Sequence, residues 1–261
     1  NVTALDTSEG LVLIDTGSFL LAAQIHASLR AWSDARLHTA IYTHGHADHV
    51  FGVTTFEAEA AARGWDAPTV VAHEALAARF DRYVYTRGYN TVINERQFRV
   101  PGLEWPSEYR YPDVTYSDTH SLTIGGERLE LRHGKGETDD ATWVWLPERK
   151  VLCTGDMFIW ASPNCGNPQK AQRYPREWAV ALRAMAALGA EVLLPGHGPP
   201  IWGADRVEQA LTETAALLET LVAQTVERMN AGDRLDDIVA SVHAPPELLA
   251  RVEFAVEALW S

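Results

Sequence analysis

The run TAIYTHGHADH, Thr39 to His49, decides how this sequence folds and where it works. Its first half, TAIYT, reads as a short buried strand. Its second half sets His44, His46, Asp48 and His49 within six residues, directly after that strand. Imidazole and carboxylate together suit zinc and related divalent ions. One loop carrying four such groups is able to offer two to one ion and two to another. The spacing therefore predicts a metal loop at the end of a strand.

Outward from this loop the same alternation recurs. LVLID, Leu11 to Asp15, is an apolar run stopped by Thr-Gly and reads as a buried strand. FLLAAQIHASLRAW (19–32) has helical spacing, and HVFGVTTFEAEAAARG (49–64) reads as a helix closed by Gly64. TVVAH (69–73) is a strand and EALAARFDRYVYTRGYN (74–90) a helix. Gln97 to Tyr116 is rich in Pro and aromatic residues. Irregular chain of that length is more often a functional loop or lid than filler. HSLTIGGERLELRHG (120–134) reads as a hairpin turning at Gly-Gly, and ATWVWLP and KVLCTG as two further strands. REWAVALRAMAALG (176–189) is an amphipathic helix, and EVLLPGHG (191–198) a last strand that runs into a loop. Mixed strands and helices, with polar clusters just past strand ends, predict an α/β or α+β layered domain.

From Ala204 the character changes. Residues 204–230 read as one long helix in which Leu211, Leu218 and Leu221 recur near heptad spacing. Both a helix packed on its own domain and a dimerisation helix fit that pattern. RLDDIVASVH and PELLARVEFAVEALW follow as shorter helices. We divide the chain at this point into a catalytic domain, 1–203, and a helical region, 204–261.

Composition narrows the function. With 22 basic and 35 acidic residues the net charge is −13, a field that repels nucleic acid and anionic membranes. No apolar run approaches the roughly 20 residues of a membrane span. The two cysteines, Cys153 and Cys165, make no disulfide framework, and Cys153 reads as a small core residue. No signal peptide is visible at Asn1, and a native start upstream is left open. These features suit a cytoplasmic enzyme with a small-molecule substrate.

A metal loop needs further ligands. CTGDM puts Asp156 just past one strand, and LPGHGPP puts His197 just past another. With these anchors the chain resembles the metallo-β-lactamase superfamily over roughly residues 5 to 203. The resemblance implies a four-layer αββα sandwich, here with a C-terminal helical appendage, and a dimetal site at its edge. It implies that His44 and His46 bind one ion, that Asp48, His49 and His197 bind the other, and that Asp156 bridges them. Many members carry a histidine before the Gly-Asp segment to complete the first site. Here the aligned stretch is HGKGET, with His133 and Glu137 in the two relevant places. Either His133 swings in as ligand or Glu137 is the ligand. The second keeps the nineteen-residue step to Asp156 and is preferred.

A Glu at this position resembles the alkylsulfatase branch of that superfamily, as do YTHGHADHVFGV, GHGPPIWG and the long helical region after Ala204. The branch implies a homodimer through the C-terminal helices. Two departures stand out. Those enzymes commonly bridge their metals with Glu where this chain has Asp156, and they carry a sterol-carrier-like domain that these 261 residues do not contain. The expected activity is dinuclear hydrolysis of alkyl sulfate esters by a metal-bridging hydroxide, with two Zn2+ and with Mn or Fe as substitutes. Asp48 and Asp156 are the expected catalytic carboxylates, and His133 is the candidate proton donor to the leaving oxygen. Two divalent ions against Asp48, Glu137, Asp156 and one hydroxide sum to formal neutrality. Other groups should therefore help to hold a sulfate: Asn164, Lys170 and Arg173. Tyr83, Tyr85, Tyr89, Phe98, Trp105, Tyr109 and Tyr111 are candidate pocket walls. His26, His38, His73, His120 and His243 receive no role. Lactonase or β-lactamase-like hydrolysis with the same centre is the alternative. The net charge speaks against a nuclease, and His46 against a diiron flavoprotein, which has Glu there. Seven competent ligand positions speak against a bare binding module.

Overall fold

The computed structural model describes residues 1–166, 171–246 and Leu248. The last helix expected from sequence, from Pro246 onward, falls almost wholly outside them. Cα proximity divides the chain into two units, Asn1–His133 and Gly134–Ser261.

In the first unit Thr3–Thr7 (β1) pairs antiparallel with Gly10–Ile14 (β2). All five residues of β2 are buried, as an unbroken apolar run requires of a strand covered on both faces. Ala22–Trp32 (α1) leads to Leu37–Ile41 (β3), which lies parallel to β2. Val53–Arg63 (α2) leads to Thr69–His73 (β4), parallel to β3. Each helix is thus the crossover that a parallel pair needs. Gly64, at φ 67°, ends α2 in the left-handed conformation open to a residue without Cβ, as expected. Ala75–Tyr85 (α3) and Arg87–Phe98 (α4) follow, and Val114–Tyr116 (β5) completes the sheet in the order β1-β2-β3-β4-β5. Thr119–Ile124 (β6) and Glu127–His133 (β7) form the expected hairpin at Gly125-Gly126. Leu11, Leu13, Val70, Phe56, Leu76 and Phe80 form the core of this unit.

Three local expectations change. The helix read over 74–90 is two, broken at Thr86, whose backbone leaves helical values at φ −100° and ψ 21° and whose hydroxyl donates to Arg82 O at 2.7 Å. The irregular segment read from Gln97 begins later, because α4 runs to Phe98, and it ends in β5. A strand, β1, precedes the first apolar run; only its register against β2 makes it one.

In the second unit Thr142–Leu146 (β8) and Val151–Ile159 (β9) pair antiparallel. Pro175–Ala186 (α5) connects β9 to its parallel neighbour Val192–His197 (β10), and Ile201–Trp202 (β11) closes the edge. Ala204–Ala231 (α6) is the long helix expected from sequence, ended by Gly232 at φ 84°, and Leu235–Ser241 (α7) follows. Val207, Leu211, Ala215 and Leu218 of α6 join Trp178, Leu182 and Met185 of α5 in one buried cluster. Cys153 is buried in β9. No helix among the described residues is long and apolar enough to cross a membrane. Two mixed sheets flanked by helices are the layers of the αββα fold.

Candidate metal centre

The loop Tyr42–Gly52 leaves β3 and is buttressed by the turn that leaves β2. Asp15, buried and at φ 59°, is the hub of that turn. Its Oδ1 accepts the Thr43 N–H at 2.8 Å; its Oδ2 accepts the Thr43 hydroxyl at 2.8 Å and lies 2.7 Å from His49 Nδ1. Thr16 grips the other end of the loop: its hydroxyl donates to His49 O at 3.1 Å and accepts the Gly52 N–H at 3.1 Å. Each half of the turn thus carries bonds across more than twenty-five residues of sequence.

This buttress fixes the protonation pattern of the ring nitrogens. An ionised Asp15 only accepts, so His49 Nδ1 carries the hydrogen and Nε2 keeps its lone pair. The Thr43 hydroxyl spends its proton on Asp15, so His44 Nδ1, 3.0 Å away, is a donor to it and His44 Nε2 also keeps a lone pair. His44 Nε2 stands 2.9 Å from His46 Nδ1, a separation that demands a shared proton or a shared cation. His49 Nε2 lies 3.4 Å from Asp48 Oδ2, and His197 Nε2 lies 3.4 Å from Asp156 Oδ2. Two donors bound at about 2.1 Å to one tetrahedral ion stand about 3.4 Å apart. The donor set therefore fits divalent metal. Ligand atoms of His44, His46, Glu137 and Asp156 lie within 4.8 Å of one another, and so do those of Asp48, His49, Asp156 and His197. Asp156 belongs to both groups.

Glu137, Asp156 and His197 come from the second unit, and each is held from behind. Asp156 lies in β9 and His197 ends β10. Gly196 is obligatory between them, because a Cβ there would overlap Asp156 Oδ1. Glu137 sits on a tight turn: the Gly136 N–H donates to Thr138 O at 3.0 Å, and Gly136 O accepts the Tyr174 N–H at 2.9 Å. The Trp178 indole N–H donates to Met157 O at 2.8 Å, which ties α5 to the strand of Asp156. Arg173, buried, places its guanidinium on the Glu137 carboxylate.

The remaining expected site residues fall in different surroundings. Asn164 is exposed, and its Oδ1 accepts the Gly166 N–H at 3.0 Å. Lys170 lies outside the described residues. His133, at the end of β7, stacks on His73 with ring centroids 3.7 Å apart; His73 Nε2 lies 2.9 Å from Ser117 O. The aromatic residues divide. Tyr83, Trp105 and Tyr109 pack on one another and on Phe80, and burial pushes the Tyr109 hydroxyl above its ordinary range. Tyr111 donates to Asp81 at 2.6 Å, which with burial pushes its pKa up to about 12. Tyr85, Tyr89 and Phe98 are exposed. Sequence reasoning missed Asp15, Thr16 and Thr43. The available signal was the position of Asp15 at the end of the apolar run in LIDTGS; Asp156, expected just past its strand on the same signal, lies within β9, which runs on to Ile159.

The family model described as metallo-beta-lactamase superfamily matches residues 1–197. A linear primary-alkylsulfatase of Pseudomonas sp. (strain ATCC 19151) is 27% identical over 266 residues, covering 94% of this chain and 50% of that protein. A metallo-beta-lactamase type 2 of Bacillus sp. (strain 170) is 28% identical over 203 residues, covering 76% of this chain and 66% of that protein. The solved structure of a stereoselective inverting sec-alkylsulfatase from Pseudomonas sp. superposes with a TM-score of 0.82 at 24% identity, over 95% of this chain and 43% of that one. The chain thus spans about half the length of the alkylsulfatase relative it matches by sequence. Two mixed sheets and a matching model over three quarters of the sequence lead to one assignment: the chain belongs to the metallo-beta-lactamase superfamily.

Proposed function

We propose that this superfamily hydrolase cleaves alkyl sulfate esters at a dinuclear zinc centre. The observation that carries the reading is the reach of the likeness. The alkylsulfatase relative aligns over 94% of the chain, through α6, whereas the β-lactamase relative covers 76%. Glu137 in the ligand group, in place of a third histidine, supports the same branch.

His44, His46, Glu137 and Asp156 would hold one ion, and Asp48, His49, Asp156 and His197 the other. When bound, the ions supply Lewis acidity and lower the pKa of water so that hydroxide is available near neutral pH. The chain's own groups do the rest. Asp48, with its side chain half exposed, orients the attacking water and receives its proton. Arg173 neutralises Glu137 and so offsets the extra negative charge that this carboxylate brings. His133, which stacks on His73, would give a proton to the leaving alkoxide. Asn164 and Lys170 would receive sulfate oxygens. The catalytic domain would be 1–203, and the region from Ala204 onward, with α6 and α7, would pair two copies.

The test is sulfate release from octyl sulfate by zinc-loaded protein beside a Glu137→Ala control. Release that vanishes in the control supports both the activity and the ligand. Unchanged release in the control returns the ligand position to His133. No release by protein holding two zinc ions removes sulfate esters as the substrate. The second reading, ring opening of a lactone or β-lactam, rests on the 28% identity to a β-lactamase and is read by that assay's counterpart on a chromogenic lactam.

A further inference from the structure

The second unit holds a cavity of about 250 Å³ that no role described so far uses. One wall is the end of β9 and the segment after it: Phe158, Trp160 and Pro163. Ile201 of β11 and Leu217 of α6 face that wall. The polarity is graded. Phe158, Ile201 and Leu217 are buried, whereas Arg206 and Gln209, which also line it, are exposed. Its buried lining is thus apolar, while Arg206 and Gln209 share the exposed side with Trp160 and the half-buried Glu213 adds one charge, a mixed lining that suits an amphiphilic small molecule. In size it lies between a cavity of about 150 Å³ that accepts benzene and the roughly 300 Å³ at which drug-sized pockets begin.

The cavity shares structure with the metal ligands of the same unit. Ile159, on its wall, lies three residues beyond Asp156, about 10 Å along an extended strand. Ile159 pairs with His197 in the β9–β10 ladder, and the Trp160 N–H donates to His197 O at 3.3 Å. The Trp160 indole donates to Pro199 O at 2.6 Å, and a Cβ on Gly198 would overlap the same ring. Trp160 is thus a fixed partition between the His197–Pro199 turn and the cavity.

We propose that this cavity receives the apolar chain of the substrate, with Trp160 as the shared wall, and that its depth sets the preferred chain length. The proposal rests on the alkyl-ester reading of the metal centre. Burying each methylene of a chain tightens binding about fourfold, and the gain stops when the cavity is full.

The experiment is calorimetric titration of zinc-loaded protein with alkanesulfonates and with 1-alkanols of four, six, eight and ten carbons. It is repeated on Ala210→Phe and Thr214→Phe, two substitutions that fill the cavity from α6, with folding checked by circular dichroism. The expected result is affinity that rises about fourfold per methylene to a plateau, with the plateau reached two or more carbons earlier in a filled variant. Affinity independent of chain length overturns the proposal, and so does an unchanged plateau in both folded variants. The alcohols separate this from the activity. If alcohols show the slope and plateau but no sulfate ester is hydrolysed, the cavity assignment stands and the sulfatase reading falls. If sulfate esters are hydrolysed with kcat/KM flat from four to ten carbons, the reverse holds.

Discussion

Asp15→Asn separates the charge of the buttress from its shape. Asn has the same outline, and Asn and Asp are the residues that best tolerate the left-handed backbone found at this position, φ 59°. The backbone should therefore stay. Oδ1 still accepts the Thr43 N–H, but an amide nitrogen now faces His49 Nδ1 and the Thr43 hydroxyl, which are 2.7 Å and 2.8 Å from Oδ2. Two hydrogen bonds to a carboxylate are lost, each worth about 1.5–3 kcal/mol, and part returns if the amide donates to a ring nitrogen. We expect the metal-free variant to lose about 2–4 kcal/mol. The more telling effect is on the ring. To accept from the amide, His49 must move its hydrogen to Nε2, the atom that faces Asp48. Metal must then displace that hydrogen at the cost of the new bond. Partners of this kind contribute 10–100-fold in metal affinity, about 1.4–2.7 kcal/mol. Competition with a chromophoric zinc chelator at pH 7 should show one of two ions weakened by that factor. Asp15→Ala should be less stable still, since Ala in a left-handed conformation costs about 1–2 kcal/mol more. An Asn variant that is destabilised yet binds both ions at wild-type affinity would falsify the tautomer argument and leave Asp15 a purely structural residue.

Three further outcomes follow from the structure. Glu59 accepts from Arg30 at 2.8 Å and lies 3.0 Å from His26; burial opposes its ionisation, but these partners hold its pKa below the usual carboxylate range. Its folded pKa is depressed, so it adds stability above the ordinary pKa near 4.3 and loses it as pH falls lower. Glu59→Gln should cost about 1 kcal/mol at pH 7, and the gap in Tm should close below about pH 4; curves that stay parallel to pH 3 refute this. Gly196→Ala would drive a Cβ into the Asp156 carboxylate and the Gly155 main chain, so it should lower Tm and abolish binding of at least one zinc, which thermal melts and metal analysis after dialysis will read. Val226 and Met229 of α6 and Val239 of α7 are exposed. If this end pairs two copies, Met229→Glu with Val239→Glu should convert a dimer to a monomer in light scattering; a wild-type monomer removes the expectation.

How much of this was legible in sequence depends on the range of each interaction. The strands of LVLID, TAIYT and KVLCTG announce themselves because burial on both faces forces continuous apolar runs. The cluster from His44 to His49 is local, so its chemistry is visible without a fold. Asp15 was not visible as a hub, because its partners lie 28 and 34 residues away and nothing in LIDTGS names them. Arg173 was read as a cation for sulfate; its placement on Glu137 joins residues far apart in sequence and has no local signature. The break at Thr86 escaped notice because Thr-Arg-Gly-Tyr-Asn continues a plausible helical pattern, and only the non-helical backbone at Thr86, φ −100° and ψ 21°, ends the first helix. The cavity beside Trp160 draws on β9, β11 and α6 at once, which no window along the chain contains.

The turn that carries Glu137 has one more consequence. Its shape is set by main-chain bonds, from Gly136 N–H to Thr138 O and from Tyr174 N–H to Gly136 O, and none of them involves the side chain at 137. Met157, whose sulfur would overlap a Cβ at Gly136, closes the turn from below in the same indifferent way. The side chain at this position is therefore an exchangeable part on a main-chain mount. A single substitution there would change the local charge by one unit without touching those main-chain bonds. Arg173 supplies the counterweight that lets the negative version persist. If Glu137 is the ligand, as proposed, such a division between mount and fitting would let one scaffold change the charge of its centre without being rebuilt.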